Sequence, residues 1–206
     1  MIRAPILALV FLASGFAALI YQVVWQRSLF AIYGVNIESV TIVVSAFMLG
    51  LGIGSFAGGK LSARPGRALL RWFGGIELAI GVFGAASLGL FRSVGELTAG
   101  APMPAVFALT FALLVLPTTL MGATLPLLVA HTVGTSGNVG RSVGLLYFVN
   151  TLGSALASFA TSVVLLAGLG QQRTVWVAAA INAAVGLFVL IRAGRSGGRL
   201  PAAGAA

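Results

Sequence analysis

The chain has 206 residues, of which 59% are hydrophobic and 7% are charged, and its mean hydropathy is +1.10. Soluble domains contain about 25% charged residues, so this composition excludes an ordinary soluble domain and indicates a lipid-facing exterior. The net charge of +9 comes without a basic stripe interleaved with aromatic residues, which argues against nucleic-acid binding. With no cysteine, one histidine and three acids, the sequence predicts neither a disulfide framework nor a metal site, and we expect no cofactor.

Six apolar segments, each of about 20 residues, predict an all-α integral membrane protein with six transmembrane helices. The segments are too long for strands and lack the alternation of a transmembrane barrel. The first segment continues through Ser14-Gly15 to Trp25, so a retained helix is favoured over a cleaved signal peptide. The predicted spans are about residues 4–25, 40–59, 68–90, 105–130, 143–169 and 174–191.

The basic residues predict how these spans are oriented. An even number of spans puts both ends of the chain on one side, which then holds all the Lys and Arg except Arg27, Arg92 and Arg173. By the positive-inside rule both termini are cytoplasmic. The Arg-, Ala- and Gly-rich composition is typical of a bacterial protein, so the inner membrane is expected. Residues 1–193 form the predicted membrane domain, and the Gly/Ala-rich residues 194–206 a disordered cytoplasmic tail.

An internal repeat relates the second and third spans to the fifth and sixth. Residues 49–57 and 152–160 both read LG, four residues, then SFA. Residues 76–83 read IELAIGVF and residues 181–188 read INAAVGLF, and the two offsets, 103 and 105 residues, nearly agree. Because three helices per unit is an odd number, the second unit would be inverted, as in each half of a major facilitator. Chance similarity among helices rich in Ala, Gly and Leu is the alternative.

Glu77 lies near the middle of the third span, where a charge costs at least about 2.5 kcal/mol unless it faces a cavity or a partner. The repeat places Asn182 at the matching position of the sixth span, and inverted-repeat transporters bind substrate between such positions. Glu77 is therefore interpreted either as part of a cation or proton site or as a protonated group bonded to a neighbouring helix. Asn150 and Gln22 complete the candidate intramembrane polar site.

Two further groups of residues have alternative interpretations. Tyr21, Trp25 and Arg27 close the first span, where they fit either an interfacial belt or a polar mouth for a substrate. Small residues recur every four positions in the second span, which predicts close helix packing or a contact between two copies of the chain. Those residues are Gly50, Gly54 and Gly58.

Pro117 and Pro126 interrupt the fourth span and free the carbonyls of Leu113 and Gly122. A kinked or broken helix is therefore expected, with nearby threonines helping to satisfy the backbone. Such a break either lines a transport pathway or is a static kink.

The loop after the second span reads GKLSARPGRALL and resembles the signature loop of the major facilitator superfamily. Ala63 stands where that family has an aspartate, so the usual acidic partner of the loop is missing. The matching positions are Gly59, Leu61, Arg64, Gly66 and Arg67.

Four longer blocks resemble the membrane domain of bacterial membrane-fused spermidine synthases, in the expected order and over nearly the whole chain. The resemblance implies a protein that binds or moves a polyamine-like cation, or that anchors a separate aminopropyltransferase subunit. In the first block Gln22 replaces a glutamate that the family usually has. The blocks are SGFAALIYQVVWQR (14–27), FMLGLGIGSFAGGKL (47–61), LPTTLMGATLPLL (116–128) and GRSVGLLYFVNTLGSALASF (140–159).

The sequence contains no nucleotide-binding glycine loop after a predicted strand and no βαβ pattern. We therefore expect no aminopropyltransferase activity from this chain itself. Two alternatives remain: a half-transporter that forms homodimers to carry another small solute, and a membrane scaffold without a transported ligand. The lipid bilayer is the partner that the composition itself predicts.

Overall fold

The computed structural model describes residues 4–33 and 37–195, and these ranges are helical apart from short turns, with no strand among them. A single π-helical turn, Thr161–Leu165, joins the last two helices. The helices are α1 (Ala4–Tyr33), α2 (Ile37–Leu61), α3 (Gly66–Leu97), α4 (Met103–Ser136), α5 (Val139–Ala160) and α6 (Leu166–Arg195).

Within the described ranges, five helical runs are long and apolar enough to cross a membrane. The all-helical membrane class is therefore confirmed, but five separate membrane-length runs are present where six were predicted. The predicted fifth and sixth spans lie in one run, Val139–Arg195, of 57 residues. Within this run Gly170 has non-helical torsion angles, with φ of 72° and ψ of 175°. Glycine tolerates this positive φ because it has no Cβ.

The helices extend beyond the apolar segments that predicted them. α1 continues to Tyr33 although its apolar stretch ends at Trp25, because polar residues at a helix surface do not interrupt backbone hydrogen bonding. Helix boundaries follow backbone signals instead: α4 begins after Pro102 and ends at Gly137, whose φ is 68°. The predicted disordered tail begins too early, because residues 194 and 195 belong to α6. The remainder of that tail lies outside the described residues.

Three helix pairs dominate the packing: α1 with α5, α2 with α4, and α3 with α6. Gly81 of α3 lies against Ala179 of α6, and Gly74 lies against Gly186, so α3 and α6 run antiparallel. Helix α1 runs parallel to α3, since Ser14 bonds to Glu77 and Trp25 bonds further along to Ser87.

The glycine stripe on α2 packs against α4 of the same chain. A Cβ at Gly50 would meet Thr118, and a Cβ at Gly58 would overlap the backbone of Ala123. Gly54 likewise lies directly on the α4 backbone. Close approach of two helices requires small residues at the contact, so the spacing of these glycines serves packing inside the chain.

Helix α4 continues through both prolines, from Met103 to Ser136, and is not broken at either. Proline frees the carbonyl four residues earlier. The Gly122 carbonyl freed by Pro126 accepts a hydrogen bond of 3.2 Å from Ser55 Oγ of α2. Thr118 Oγ1 donates to the Leu114 carbonyl at 2.9 Å. A neighbouring helix thus satisfies one of the two freed carbonyls, whereas the Thr118 bond goes to a carbonyl that neither proline frees.

Candidate functional site

Glu77 lies fully buried where α1, α3 and α6 meet. Ser14 Oγ donates a hydrogen bond of 2.6 Å to its Oε1 atom, and Asn182 Nδ2 donates one of 2.6 Å to its Oε2 atom. Each carboxyl oxygen therefore has one hydrogen-bond partner, a hydroxyl group on one side and an amide on the other. Both donors are electrically neutral, so they orient the carboxyl group without cancelling a negative charge.

Asn182 connects this carboxyl group to a cavity. Its side chain is 2% exposed, its Nδ2 is bonded to Glu77, and its Oδ1 has no hydrogen-bond partner. A buried acceptor without a partner is uncommon and requires an explanation, such as a ligand. Asn182 and Ser14 both line a cavity of about 260 Å³, which we call the inner cavity.

The inner cavity receives residues from all six helices. Its described wall carries no charged side chain, and apolar groups such as Phe11, Phe47 and Met121 alternate with amides and hydroxyls. Pockets of this kind, mostly apolar with a few placed polar groups, are typical of small-molecule sites. Its polar residues include Ser14, Gln22, Ser55, Asn150, Ser154 and Asn182.

The structure brings together the four residues of the predicted intramembrane polar site. Glu77 and Asn182 are directly bonded, and Asn182, Asn150 and Gln22 line the inner cavity. Glu77 itself lies behind Ser14 and Asn182, outside the cavity wall. Ser14 was missed by the sequence analysis, because one serine in an apolar helix resembles an ordinary packing residue. No local pattern marks it.

Tyr21 and Trp25 do not form an exposed belt or an open mouth, because both are fully buried. Their rings stack with centroids 5.1 Å apart, and Trp25 Nε1 donates a hydrogen bond of 2.9 Å to Ser87 Oγ. Helix α1 continues two turns past Trp25, which places these rings inside the bundle. Of the three predicted mouth residues, Arg27 alone is exposed.

A larger cavity of about 810 Å³, which we call the vestibule, opens at the end of the bundle where α3 ends and α4 begins. Four exposed polar residues line it: Arg92, Glu96, Gln171 and Gln172. The sequence analysis did not find this cavity. Residues from α1, α3, α4 and α6 form it, and no single segment carries a motif for it.

Aromatic residues pack between the walls of the two cavities. The Trp25 ring lies 6.0 Å from Phe47, which lines the inner cavity, and 6.0 Å from Phe91, which lines the vestibule. Phe83 packs on the same ring at 5.8 Å. We call Trp25, Phe47, Phe83 and Phe91 the aromatic barrier.

The signature-like loop lies away from both cavities. Gly59 is in the last turn of α2, and the Arg64 guanidinium lies 5.6 Å from the Trp72 ring centre. Lys60 Nζ lies 4.4 Å from the Phe56 ring centre, so cation–π contacts hold two of the basic residues here. For Gly66 and Arg67 of the predicted loop, the part of the chain that the structure describes does not include the side chains.

Comparison of the chain with protein-family models, curated proteins and solved structures finds no match. The functional argument therefore rests on the geometry of this chain. Across residues 4–33 and 37–195 there is no group of three or more His, Asp or Glu residues able to hold a metal ion.

Proposed function

We propose that this protein is a six-span membrane carrier that binds a small organic cation in the inner cavity. The observation that carries the proposal is the buried Glu77 carboxyl group, held by two neutral donors, with the unpartnered Asn182 Oδ1 beside it. Acidic residues inside a membrane bundle normally pair with a partner or mark an ion or substrate pathway. A cation in the inner cavity supplies that partner.

Six crossings are supported by the length and direction of the last run. Its 57 residues measure about 85 Å as a helix, whereas the hydrocarbon core is about 30 Å thick. Ser154 and Gln171 contact Gly15 and Ser28, so this part of the run follows α1. Beyond Gly170 the run instead opposes α3, which itself parallels α1. Two crossings joined at Gly170 account for this reversal.

The contacts between α3 and α6 support an inverted repeat. Gly81 packs against Ala179, and Gly186 packs against Gly74. Gly81 and Gly186 are 105 residues apart, and so are Gly74 and Ala179, so the repeat exchanges one contact for the other. A two-fold axis between matched helices requires this exchange. The same exchange converts the α1–α5 pair into the α4–α2 pair. Glu77 and Asn182 are matched positions that meet each other, which puts the candidate site on this axis.

The wider resemblance suggests which cation and which setting to test. The membrane half of fused spermidine synthases points to polyamine-like cations, to a separate aminopropyltransferase partner and to the bacterial inner membrane. Gln22 lines the inner cavity, and in place of the family's glutamate it offers an amide acceptor without charge. With both termini cytoplasmic, the vestibule faces the opposite side of the membrane, and a solute reaches the inner cavity from there only if Trp25 moves.

The proposal concerns a single chain. The glycine stripe that could have joined two copies is occupied by α4 of the same chain, so a homodimer would need another face.

The experiment compares two acids that differ in burial. The protein is reconstituted in liposomes, and uptake of labelled short-chain amines is measured for wild type, Glu77→Gln and the vestibule control Glu96→Gln. We expect Glu77→Gln to reduce saturable uptake by about 100-fold or more, because a buried charge partner is lost. Glu96→Gln should stay within about fivefold, because an exposed charge interacts weakly.

Equal uptake by wild type and Glu77→Gln would contradict the proposal. Failure of wild type to bind or move any amine would also contradict it, and would favour a scaffold without a transported ligand.

A further inference from the structure

We infer that the inner cavity is a site for a singly charged amine, one ammonium group on a short apolar body, rather than for a polyamine. This inference rests on the proposed function and narrows its substrate class. It begins with the number of charges available to the ligand. The described wall of the cavity has no charged side chain, and among the acids whose side chains the structure describes, Glu77 is the one bonded to wall residues.

The position of the ammonium group follows from the unpartnered acceptor. Asn182 Oδ1 belongs to a side chain that lines the cavity and is 2% exposed. A ligand N–H group that reaches Oδ1 gives this buried acceptor a partner, while Nδ2 donates one of its two N–H groups to Glu77. The amide then connects the ligand's positive charge to the carboxyl group in one hydrogen-bonded chain.

The remaining wall suits an uncharged body. Phe11, Phe47 and Met121 offer apolar surface, and Tyr147 offers an aromatic face on the α5 side. A second ammonium group would lie against these residues or against neutral amides, with no carboxylate to balance its charge. Such a group loses its hydration without a compensating ion pair, which is strongly unfavourable.

The size of the cavity agrees with a small ligand. Its volume of about 260 Å³ lies just below the range of about 300–1,000 Å³ that is usual for drug-sized ligands. A butyl-sized amine places its ammonium group at Asn182 and its carbon chain among the apolar wall residues.

The test uses three ligands with the same four-carbon chain: butylamine, 1,4-diaminobutane and 1-butanol. Each competes for binding of labelled butylamine to the full protein in liposomes. We expect butylamine to bind at least about tenfold more tightly than 1,4-diaminobutane, which corresponds to 1.4 kcal/mol, and 1-butanol to compete weakly. Spermidine, with three amino groups, should compete least of the amines.

Two variants sharpen the test by adding a charge. Ser154→Asp and Asn150→Asp each put a carboxylate on the wall, in addition to Glu77 behind it, and each should shift the preference towards 1,4-diaminobutane by about tenfold or more. Two positions are used because one variant alone could fail to fold, and elution as a single species in detergent verifies folding.

The outcomes separate the inference from the proposed function. Wild-type protein that binds 1,4-diaminobutane or spermidine as tightly as butylamine overturns the single-charge inference and leaves a cation carrier. Protein that binds no amine, or binds 1-butanol equally well, overturns both. Folded aspartate variants that keep the wild-type preference also overturn the inference, because added charge on the wall would then not reach the ligand.

Discussion

The inner cavity and the vestibule each have a lining residue that packs on Trp25, but their acidic residues have different surroundings. Glu77, beside the inner cavity, is fully buried and has a donor on each carboxyl oxygen. Glu96, in the vestibule, is exposed and shares its wall with Arg92. Water screens the second acid, whereas the first depends on the few groups that contact it. The same residue type is therefore a buried, hydrogen-bonded group beside one cavity and a solvated surface group in the other.

The largest expected effect on stability comes from the donors to Glu77. Ser14→Ala should lower the free energy of unfolding by about 2 kcal/mol, because it leaves a buried carboxyl oxygen unsatisfied. Arg92→Ala in the vestibule should change it by no more than about 0.5 kcal/mol. Denaturant titration in detergent micelles, followed by circular dichroism, measures both variants. Equal effects would mean that the two cavities do not differ in the way their burial indicates.

An intermediate effect is expected from the aromatic barrier. The natural chain has no cysteine, so single reporters can be introduced without background: Gln172→Cys in the vestibule and Ser154→Cys in the inner cavity. A charged thiol reagent should modify the first quickly and the second slowly. Adding Trp25→Ala should raise the rate of modification at position 154 about tenfold, which corresponds to a barrier to reagent entry that is lower by about 1.4 kcal/mol.

The rate at position 172 should be unchanged by Trp25→Ala, which is the control for a general loosening of the bundle. If the two reporters react equally fast in the presence of intact Trp25, the barrier does not separate the cavities.

The smallest expected effect on stability comes from removing the polar atom of either stacked ring, Trp25 or Tyr21. Trp25→Phe should cost about 1 kcal/mol of unfolding free energy, because it removes the hydrogen bond to Ser87. Tyr21→Phe should change it by less than about 0.5 kcal/mol, since the buried Tyr21 hydroxyl has no partner to lose. Thermal unfolding in detergent ranks the two. A larger loss for Tyr21→Phe would reveal a hydroxyl contact that the structure lacks.

The pairing of Glu77 with Asn182 was predictable because the repeat matched the two positions before any contact was known. Local patterns also indicated close packing of the α2 glycines. Ser14, the vestibule and the burial of Trp25 were not predictable. They depend on which helices are neighbours and on how far each helix continues, and the composition of one segment contains neither fact.

The sequence by itself determined the apolar helices, the mid-helix acid and the match between residues 76–83 and 181–188, because bilayer thickness and helix periodicity act on each segment separately. Only the packed helices decide that two neutral donors hold Glu77, that Oδ1 of the cavity-lining Asn182 is buried without a partner and that Ser55 satisfies the Gly122 carbonyl. Those features require groups from different helices to come within hydrogen-bonding distance, and only the packed bundle brings them there.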